Sequence, residues 1–375
     1  MNFVKDYNKT AIIYDGKRIS YSEVIKKSKY FSTLFDIKPQ DKVIIFMENR
    51  PELLYSFLGT WDKRGTCVCL DASFSGEELV YYLNDSDAKF IYTSNGSQKA
   101  VVEGLALSGK TSEVKVINVD EIEVEDIEIK EYILKAPEKE DIALMLYTSG
   151  TTGNPKGVML KFDNILVNIE GLDKYKMFIS EDIVLALLPM HHIFPLLGAG
   201  VVPLAKGATI VFLKELSSQA MVEAFKEYRV TMMIGVPRLW EMLHKKIMEK
   251  INSSKVTKTV FKLAEKIESI SIRKKIFKKV HEGFGGNVRF FVSGGSKLDS
   301  QISKDFLTLG IQVCEGYGMT ETSPMISFTP INEIVPGSAG KILPGVEVKI
   351  SEDGEILARG RNVMAGYYKR PEATA

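Results

Sequence analysis

Short apolar runs alternate with helical patterns along the first quarter of the chain. Apolar runs that predict strands lie at 43–47, 67–70 and 90–93, and helical spacing of apolar residues lies between them at 51–63 and 76–84. Strands that alternate with helices are typical of a parallel sheet covered by helices on both faces. The pattern therefore predicts an α/β fold.

A hairpin is predicted before this series. Residues 11–20 alternate between apolar and polar positions about Asp15-Gly16, which is a two-residue hairpin signal. Ser20 and Glu23 then form the pattern of a capping box, which predicts a helix from there to about Leu34.

A second series of strand patterns follows a helical pattern at 161–171. These strand patterns lie at 183–188, 209–213, 230–236, 288–293 and 312–315. Two such series predict two stacked α/β subdomains with mainly parallel sheets over residues 1–335, with their boundary near 170–185. Ligands of such folds bind beyond the carboxyl ends of the strands, so we expect the site in the cleft between the subdomains.

From residue 336 onward the pattern changes to short alternating segments. Residues 347–360 alternate about Asp353-Gly354, which predicts antiparallel strands. We therefore expect residues 336–375 to begin a small β-rich, barrel-like part.

Composition narrows the class of protein. The 375 residues are 45% hydrophobic and 26% charged, which is ordinary for a globular protein, and the net charge of +1 gives no overall field for nucleic acid. The three cysteines form no C-x-x-C pair and fit buried thiols in a reducing cytoplasm. The N-terminus lacks the apolar region of a signal peptide, and the apolar stretch 183–213 is interrupted by prolines, histidines and a lysine, so a cytoplasmic protein is expected.

The clearest chemical signal is the stretch 147–160, YTSGTTGNPKGVML, which follows a predicted strand. Glycines let a backbone approach a ligand, hydroxyls add hydrogen-bond donors and a lysine adds a positive charge, a combination that suits a polyphosphate. The residues expected to bind it are Thr148, Ser149, Gly150, Thr151, Thr152, Gly153 and Lys156.

This loop differs from a Walker A loop, because Gly157 rather than Ser or Thr follows Lys156. A different stretch, GLALSGKT at 104–111, does have the Walker A spacing. A helical pattern precedes it and a strand pattern follows it, which is the reverse of the order that the Walker A motif requires. We therefore predict a loop without nucleotide-binding function there.

Two further stretches follow predicted strands. In GYGMTE, residues 316–321, a Gly-Tyr-Gly turn offers an aromatic face, and Thr320 and Glu321 offer oxygen ligands suited to Mg²⁺. In SGGS, residues 293–296, the glycines would let a flat ring lie against bare backbone. Each stretch taken alone is also compatible with an ordinary turn between a strand and a helix.

Together these stretches resemble the adenylate-forming (AMP-binding) superfamily, whose members activate a carboxylate with ATP. The match runs unbroken through YTSGTTGNPKG and includes GYGMTE, GSAGKILPGVE at 337–347 and NVMAGYYKRP at 362–371, so it covers nearly the whole chain. The resemblance implies ATP and Mg²⁺ as cofactors, coenzyme A as the acceptor of the acyl group, and small-molecule substrates without nucleic acid.

The resemblance also implies roles for individual residues. Lys156 and the loop hydroxyls would hold the β- and γ-phosphates, Thr320 would contact the α-phosphate, and Glu321 would hold Mg²⁺. His192 matches a gate beside the reacting carboxylate. Adenine recognition is implied for Ser293, Gly294, Gly295, Ser296, Glu315 and Tyr317, and Gly316 and Gly318 beside them are expected to bind the nucleotide.

The substrate class follows partly from charge. An amino-acid substrate would need a buried carboxylate to neutralise its ammonium group, and the stretch 183–213 contains no Asp or Glu. Its apolar residues could line a tunnel for an alkyl chain or serve as ordinary core: Ile193, Phe194, Leu196, Gly198, Ala199, Gly200 and Val201. GVPRLWEML at 235–243 resembles long-chain acyl-CoA synthetases, so a fatty acid is the expected substrate.

A basic tract at 245–279 holds twelve Lys or Arg residues against three Glu. Apolar residues at Val260, Leu263, Ile267 and Ile270 predict amphipathic helices. Such helices present either a solvated face or a surface with weak attraction to anionic membranes.

Members of the resembled superfamily continue past the position of Ala375 into a Gly-Asp motif, a hinge and a small C-terminal domain that carries a catalytic lysine. We expect these parts to be absent and adenylation to be impaired. The alternatives are an acyl ligase that loads a carrier protein, an aryl acid–CoA ligase or, from another class, a nucleotide-binding module without catalysis. The acyl chain length and the acceptor stay open.

Overall fold

The computed structural model describes residues 3–123, 133–148 and 153–375. They form a nine-stranded sheet, a seven-stranded sheet and a separate two-stranded hairpin. In chain order the strands are β1 (Thr10–Tyr14), β2 (Lys17–Ser20), β3 (Lys42–Phe46), β4 (Thr66–Cys69), β5 (Phe90–Thr93), β6 (Lys115–Asn118), β7 (Ile142–Thr148), β8 (Lys156–Lys161), β9 (Ile183–Ala186), β10 (Thr209–Phe212), β11 (Met232–Gly235), β12 (Phe290–Ser293), β13 (Val313–Gly318), β14 (Met325–Phe328), β15 (Lys341–Ile342), β16 (Val346–Ile350), β17 (Ile356–Gly360) and β18 (Gly366–Tyr367).

Helices cover both sheets. In chain order they are α1 (Tyr21–Leu34), α2 (Pro51–Asp62), α3 (Gly76–Ser86), α4 (Gln98–Ser108), α5 (Phe162–Lys174), α6 (Ile193–Pro195), α7 (Val202–Lys206), α8 (Ser218–Glu227), α9 (Pro237–Asn252), α10 (Lys255–Ala264), α11 (Ile270–Ile276), α12 (Lys278–Gly283), α13 (Ser300–Thr308) and α14 (Pro371–Thr374). A π-helical segment, Leu196–Val201, joins α6 to α7.

The seven-stranded sheet has the order β18-β8-β7-β4-β3-β5-β6, and the nine-stranded sheet has the order β15-β14-β13-β12-β11-β9-β10-β1-β2. Both are parallel in their centre, with antiparallel pairs at β7–β8, β8–β18, β1–β2, β13–β14 and β14–β15. The predicted α/β fold with mainly parallel sheets is confirmed. The chain passes between the sheets at both ends, because β1 pairs with β10 of the nine-stranded sheet and β18 returns to the seven-stranded one.

The predicted hairpin and capping box at the start of the chain are both confirmed. Strands β1 and β2 pair on either side of Asp15-Gly16. At the start of α1, the Ser20 side chain accepts a hydrogen bond from the Glu23 backbone N–H at 3.1 Å, and the Glu23 carboxylate accepts one from the Ser20 backbone N–H at 2.7 Å. Each group satisfies a donor that the helix itself leaves unpaired.

One hydrophobic cluster fills the space between the two sheets. Val43, Cys67 and Leu144 of the seven-stranded sheet share it with Val184 and Ile210 of the nine-stranded sheet. The alternate residues of the same strands face outer clusters beneath the covering helices. Apolar residues on both faces explain why these strands read as continuous apolar runs rather than as an alternating pattern.

The last part of the chain is β-rich, as predicted, but within the described residues its strands do not close into a barrel. Strand β15 extends the nine-stranded sheet, β18 joins the seven-stranded sheet, and β16 and β17 pair only with each other. The barrel-like arrangement does not form because the strands on both sides of the hairpin find their partners in the two large sheets.

Two further sequence predictions can be compared with this fold. The stretch 104–111 is a loop only in its second part, because α4 continues to Ser108. The helix is capped by Gly109, whose φ of 71° is a left-handed conformation that glycine adopts readily. The helix-then-strand order that argued against a Walker A loop is as predicted. In the described part of the chain, none of the helices is long and apolar enough to span a bilayer.

Candidate functional site

A cavity of about 870 Å³ opens at the carboxyl ends of the strands, where the two sheets meet. The seven-stranded sheet contributes Thr148 from β7, Lys156 from β8 and Tyr367 from β18. The nine-stranded sheet contributes residues that follow β12 and residues at and beyond the end of β13. This is the position that the α/β topology predicts for a ligand. Of the predicted site residues, those that line it are Thr148, Lys156, His192, Gly294, Gly295, Gly316, Tyr317, Gly318, Thr320 and Glu321.

The other predicted site residues lie elsewhere. Ser149, Gly150, Thr151 and Thr152 fall outside the described residues. The remaining four are not among the residues that line the cavity: Gly153, Ser293, Ser296 and Glu315.

The predicted phosphate loop connects two antiparallel strands. Thr148 at the end of β7 lies opposite Lys156 at the start of β8, so the two strands pair as an antiparallel hairpin. The sequence analysis did not predict β8, because its residues belong to the glycine-containing motif. A Cβ on Gly157 would lie 3.1 Å from Met145 Sδ and 3.4 Å from Tyr368 Cβ. This glycine therefore allows close packing of the chain rather than contact with a ligand.

Helix α3 holds both sides of this hairpin. The Tyr81 hydroxyl donates a hydrogen bond to the Pro155 carbonyl at 2.6 Å, just before β8. One turn later on the same helix, Asp85 accepts a hydrogen bond from the Tyr147 hydroxyl at 2.8 Å, just before the loop. Burial, and then the charge of Asp85, raise the pKa of Tyr147, so its hydroxyl stays a donor at neutral pH. Neither contact was predicted, since both join segments more than sixty residues apart.

Glu321 is held by a residue that the sequence analysis did not assign to the site. The Tyr367 hydroxyl donates a hydrogen bond to Glu321 Oε1 at 2.7 Å. Lys156 Nζ lies 5.2 Å from the centre of the Tyr367 ring, within the range of a cation–π contact. Burial, and then the Glu321 carboxylate, raise the pKa of Tyr367 to about 12. Lys156 and Glu321 thus share one aromatic neighbour.

The Gly-Tyr-Gly segment is the end of a strand, so the predicted turn is wrong. Gly316 and Tyr317 continue β13 and pair with β14. A Cβ on Gly318 would lie only 1.7 Å from the Pro324 carbonyl oxygen, so close packing of the chain requires glycine here. The Tyr317 side chain is 42% exposed and lines the cavity, which leaves its aromatic face accessible to a ligand.

The segment after β12 offers a surface for a flat polar ring. Gly294 and Gly295 line the cavity with bare backbone, and Gly295 has φ 83°. Ser293 Oγ, beside them, is buried and has no hydrogen-bond partner among the described residues. Burial raises the pKa of the neighbouring Glu315, opposed by the Leu298 backbone N–H and by Lys297. These features fit the purine base of a nucleotide.

The histidine pair lies at the edge of the cavity. The two Nε2 atoms of His191 and His192 are 3.0 Å apart, and His191 Nε2 is 3.7 Å from Asp71 Oδ2. Loss of solvation lowers the pKa of both imidazoles, that of His191 to about 4 with a further contribution from His192. Both rings are therefore neutral at pH 7, and His192, which lines the cavity, can donate or accept a hydrogen bond.

The donor set of the cavity fits Mg²⁺ carried by a nucleotide. Glu321 is the one carboxylate among the described residues that line the cavity, and Thr320 supplies a hydroxyl next to it. The described residues contain no cluster of three His, Cys, Asp or Glu side chains that could hold a metal alone. Mg²⁺ in nucleotide sites is commonly held by one or two carboxylates together with the substrate phosphates.

A small apolar cavity of about 30 Å³ lies behind the large one. Phe194, Pro324, Met325 and Phe328 line both cavities. Of the apolar residues predicted to line a tunnel, Ile193, Phe194 and Gly198 line one or both cavities. The others are not among the lining residues: Leu196, Ala199, Gly200 and Val201.

The sequence profile of the AMP-binding enzyme family matches residues 2–368. The chain belongs to this family. It is 35% identical over 265 residues to the peroxisomal long chain acyl-CoA synthetase 7 of Arabidopsis thaliana, and the aligned region covers 64% of this chain and 37% of that protein. It is 26% identical over 415 residues to long-chain-fatty-acid–CoA ligase 5 of Rattus norvegicus, and the aligned region covers 96% of this chain and 60% of that protein. The chain thus spans less than two thirds of these AMP-binding relatives.

Two solved structures with a bound nucleotide share the fold. ATP-bound MatB from Rhodopseudomonas palustris superimposes with a TM-score of 0.78 at 25% identity, over 99% of this chain and 71% of that one. The o-succinylbenzoate coenzyme A synthetase MenE from Bacillus subtilis, in complex with AMP, superimposes with a TM-score of 0.75 at 25% identity, over 98% of this chain and 87% of that one.

Proposed function

We propose that this chain is the nucleotide-binding part of a ligase that activates a fatty acid with ATP and Mg²⁺ and passes the acyl group to coenzyme A. The observation that carries the proposal is the large cavity. It combines Lys156, Thr320 and Glu321 with a bare glycine surface, and it adjoins an apolar space. Membership of the AMP-binding family and the names of the relatives support the same reaction.

In the proposed reaction the fatty carboxylate oxygen attacks the α-phosphorus of ATP. A phosphorus–oxygen bond forms to the acid, and the bond to the β-phosphate breaks and releases pyrophosphate. Lys156 would neutralise the β- and γ-phosphates, and Thr320 would hydrogen-bond the α-phosphate. Mg²⁺ held by Glu321 would supply further charge neutralisation when it is bound. Because a carboxylate is a weak nucleophile and the phosphate is anionic, orientation and charge neutralisation must supply the rate.

The acceptor step follows from the adenylate. Its mixed anhydride is reactive toward a thiol, so the coenzyme A sulfur would bond to the acyl carbon while AMP leaves. His192, neutral and at the cavity edge, is placed to hydrogen-bond the acid or the adenylate. A cytoplasmic location is part of the same proposal and is supported by three buried cysteines without a disulfide.

A fatty acid is the substrate class that the apolar neighbourhood supports best. Phe194 lies between the large cavity and the small apolar one, so rotation of its ring would join them. A chain that enters this space gains about 0.8 kcal/mol for each buried methylene, which is about a fourfold gain in affinity. The small volume of about 30 Å³ behind Phe194 favours a second candidate, a short or aryl acid, which would need no rotation.

A binding series separates these candidates without requiring turnover. Analogues of the acyl-adenylate in which a sulfamoyl group replaces the phosphate are titrated by calorimetry, with acyl groups from acetyl to palmitoyl and with benzoyl. A fatty-acid ligase should bind them more tightly with each methylene until the space is filled. Tightest binding of benzoyl, or equal binding of all acyl groups, would contradict the fatty-acid proposal.

The acceptor and the occurrence of catalysis need separate tests. Acyl transfer to coenzyme A rather than to a phosphopantetheinyl carrier protein is expected when both are offered to the preformed adenylate. Transfer to the carrier alone would identify a carrier-protein ligase. ATP binding without acid-dependent pyrophosphate release would identify a nucleotide-binding module.

Weak contact with an anionic membrane through 245–279 is a further part of the proposal. On α10, Val256 and Leu263 are 71% and 60% exposed and lie two turns apart on one face, surrounded by lysines. Val260 and Ile267 instead pack against the core beneath them, so the apolar residues of this tract divide between two faces.

Liposome pelleting tests this contact directly. Binding to vesicles that contain anionic lipid is expected at low ionic strength, with loss of binding at high salt and in Leu263→Ser. Equal pelleting of Leu263→Ser, or none at low salt, would show that the tract is a solvated face.

A further inference from the structure

Among the described residues that line the large cavity, Lys156 and Glu321 are the charged ones, and Tyr367 contacts both. Its hydroxyl donates to Glu321 Oε1 at 2.7 Å, and its ring centre lies 5.2 Å from Lys156 Nζ. A hydrogen bond to an ionised carboxylate is stronger and more directional than one between neutral groups. The side chain therefore links the carboxylate and the ammonium, which come from opposite sheets.

The backbone around Tyr367 fixes this position. Strand β18 pairs antiparallel with β8, the strand that begins at Lys156. The Ala365 N–H donates to the Met159 carbonyl at 2.9 Å, and the Tyr368 N–H donates to the Gly157 carbonyl at 2.8 Å. The Met364 N–H donates to the Glu321 carbonyl at 2.8 Å. One short segment is thus bonded to the hairpin on one side and to Glu321 on the other.

The next residues tie the segment to α3. The Tyr368 hydroxyl donates to Asp87 Oδ2 at 2.6 Å, and Arg370 donates to Asp85 at 2.9 Å. Asp85 also accepts the hydrogen bond from Tyr147 that holds the hairpin. Tyr367 therefore projects from a segment that is anchored at both ends.

We propose that Tyr367 is a positioning residue for nucleotide-bound Mg²⁺: its hydroxyl orients the Glu321 carboxylate toward the cation, and its ring orients Lys156 toward the phosphates. The hydroxyl occupies one carboxylate oxygen and leaves the other for the cation. Tyr367 acts through these two residues and takes no part in the reaction itself. This inference rests on the proposed function, because that function assigns Mg²⁺ to Glu321.

Removal of the Tyr367 hydroxyl should weaken the binding of Mg²⁺. It should not weaken the binding of ATP in the absence of metal. Groups that orient a metal ligand typically contribute a factor of about 10 to 100 in metal affinity. Tyr367→Phe removes the hydrogen bond and keeps the ring beneath Lys156. The matched control is Tyr368→Phe, which removes a similar tyrosine–carboxylate bond on the neighbouring residue, outside the cavity.

Calorimetric titration of ATP, in EDTA and in increasing MgCl₂, measures this effect in the wild type, Tyr367→Phe, Tyr368→Phe and Glu321→Gln. We expect Tyr367→Phe to need about tenfold more Mg²⁺ for the same gain in ATP affinity. Its affinity in EDTA should stay within about twofold of the wild type, because the ring remains beneath Lys156. Tyr368→Phe should match the wild type in both conditions.

The outcomes separate this inference from the function on which it rests. One outcome is that Tyr367→Phe needs no more Mg²⁺ than the wild type while Glu321→Gln needs more. That result would overturn the inference and leave the metal assignment of Glu321 intact. Weaker ATP binding of Tyr367→Phe in EDTA and Mg²⁺ alike would show a general structural role and would also overturn it. An unchanged requirement in Glu321→Gln would refute the metal assignment in the proposed function, and the inference with it.

Discussion

Gly318→Ala should disrupt the site through backbone contact alone. The added Cβ would lie 1.7 Å from the Pro324 carbonyl oxygen and 2.8 Å from its carbon, whereas ordinary contacts begin at 3.4 Å. The carbonyl would therefore have to move by about 1.7 Å, the difference between these two distances. The same oxygen accepts a hydrogen bond from Thr322 Oγ1 at 2.9 Å, so this movement would also break a bond beside Glu321.

The magnitude follows from these two effects. Insertion of a methyl group into a packed region costs about 1–3 kcal/mol, and loss of one internal hydrogen bond costs about 1 kcal/mol. Gly318→Ala should thus lower the free energy of unfolding by about 3 kcal/mol. In Gly316→Ala the closest contacts of the Cβ would be with the Phe328 ring, at 3.2 and 3.6 Å, and a ring can shift by a few tenths of an ångström. The nearest backbone atom, the Ser327 carbonyl oxygen, would lie at an ordinary 4.0 Å. The cost of Gly316→Ala should stay below about 1 kcal/mol.

Urea unfolding of the two variants measures the difference directly, and ATP titration reports the state of the site. We expect Gly318→Ala to lose both stability and ATP affinity, and Gly316→Ala to keep most of its stability. Neither glycine has a positive φ, so backbone strain does not distinguish them. Equal stability of the two variants would refute the argument from close packing.

Three further predictions concern other parts of the molecule. Asp182 is fully buried and lies 2.6 Å from the Arg289 guanidinium, so Arg289→Met would leave it without its ion-pair partner. Urea unfolding should show that the free energy of unfolding falls by about 3 kcal/mol, and a fall below about 1 kcal/mol would contradict this. The pKa of His191 is about 4 in the folded state and 6.5 in its ordinary environment, so the unfolded chain binds the proton more tightly between these values. Stability should therefore be complete above about pH 6.5, and the lowered pKa of His191 should reduce it by about 2 kcal/mol at pH 5. If unfolding is compared at pH 7 and pH 5, His191→Asn should reduce the difference but not remove it, because the pKa of His192 is lowered as well. Tyr81→Phe removes the hydrogen bond to Pro155 and should weaken ATP binding about fivefold by calorimetry; unchanged affinity would show that the hairpin needs no such anchor.

Much of the fold could be predicted because the central strands are short apolar runs between clear helical patterns. The runs at 43–47, 67–70 and 90–93 correspond to β3, β4 and β5. Glu321 and Lys156 could be singled out because charged residues close to glycines, in a segment that follows an apolar strand pattern, are typical of ligand sites. The structure places both in one cavity.

Other features depend on contacts between distant segments and leave no local signal. Strand β18 has two residues, and Tyr367 reaches Glu321 across 46 positions of sequence. Gly157 and Gly318 belong to motifs that predict ligand binding, but a side chain on either would press on the protein itself. Sequence patterns show where glycine is needed, but only the packed neighbours show whether the reason is a ligand or the chain.

Pyrophosphate release tests the central claim most directly. The chain is incubated with ATP and Mg²⁺, without acid and with acids from acetate to palmitate, and Glu321→Ala is measured beside it. The account predicts release that requires an acid, increases with acyl chain length and falls by about 100-fold or more in Glu321→Ala. Release without acid, or acid-dependent release that does not increase with acyl chain length, would contradict it.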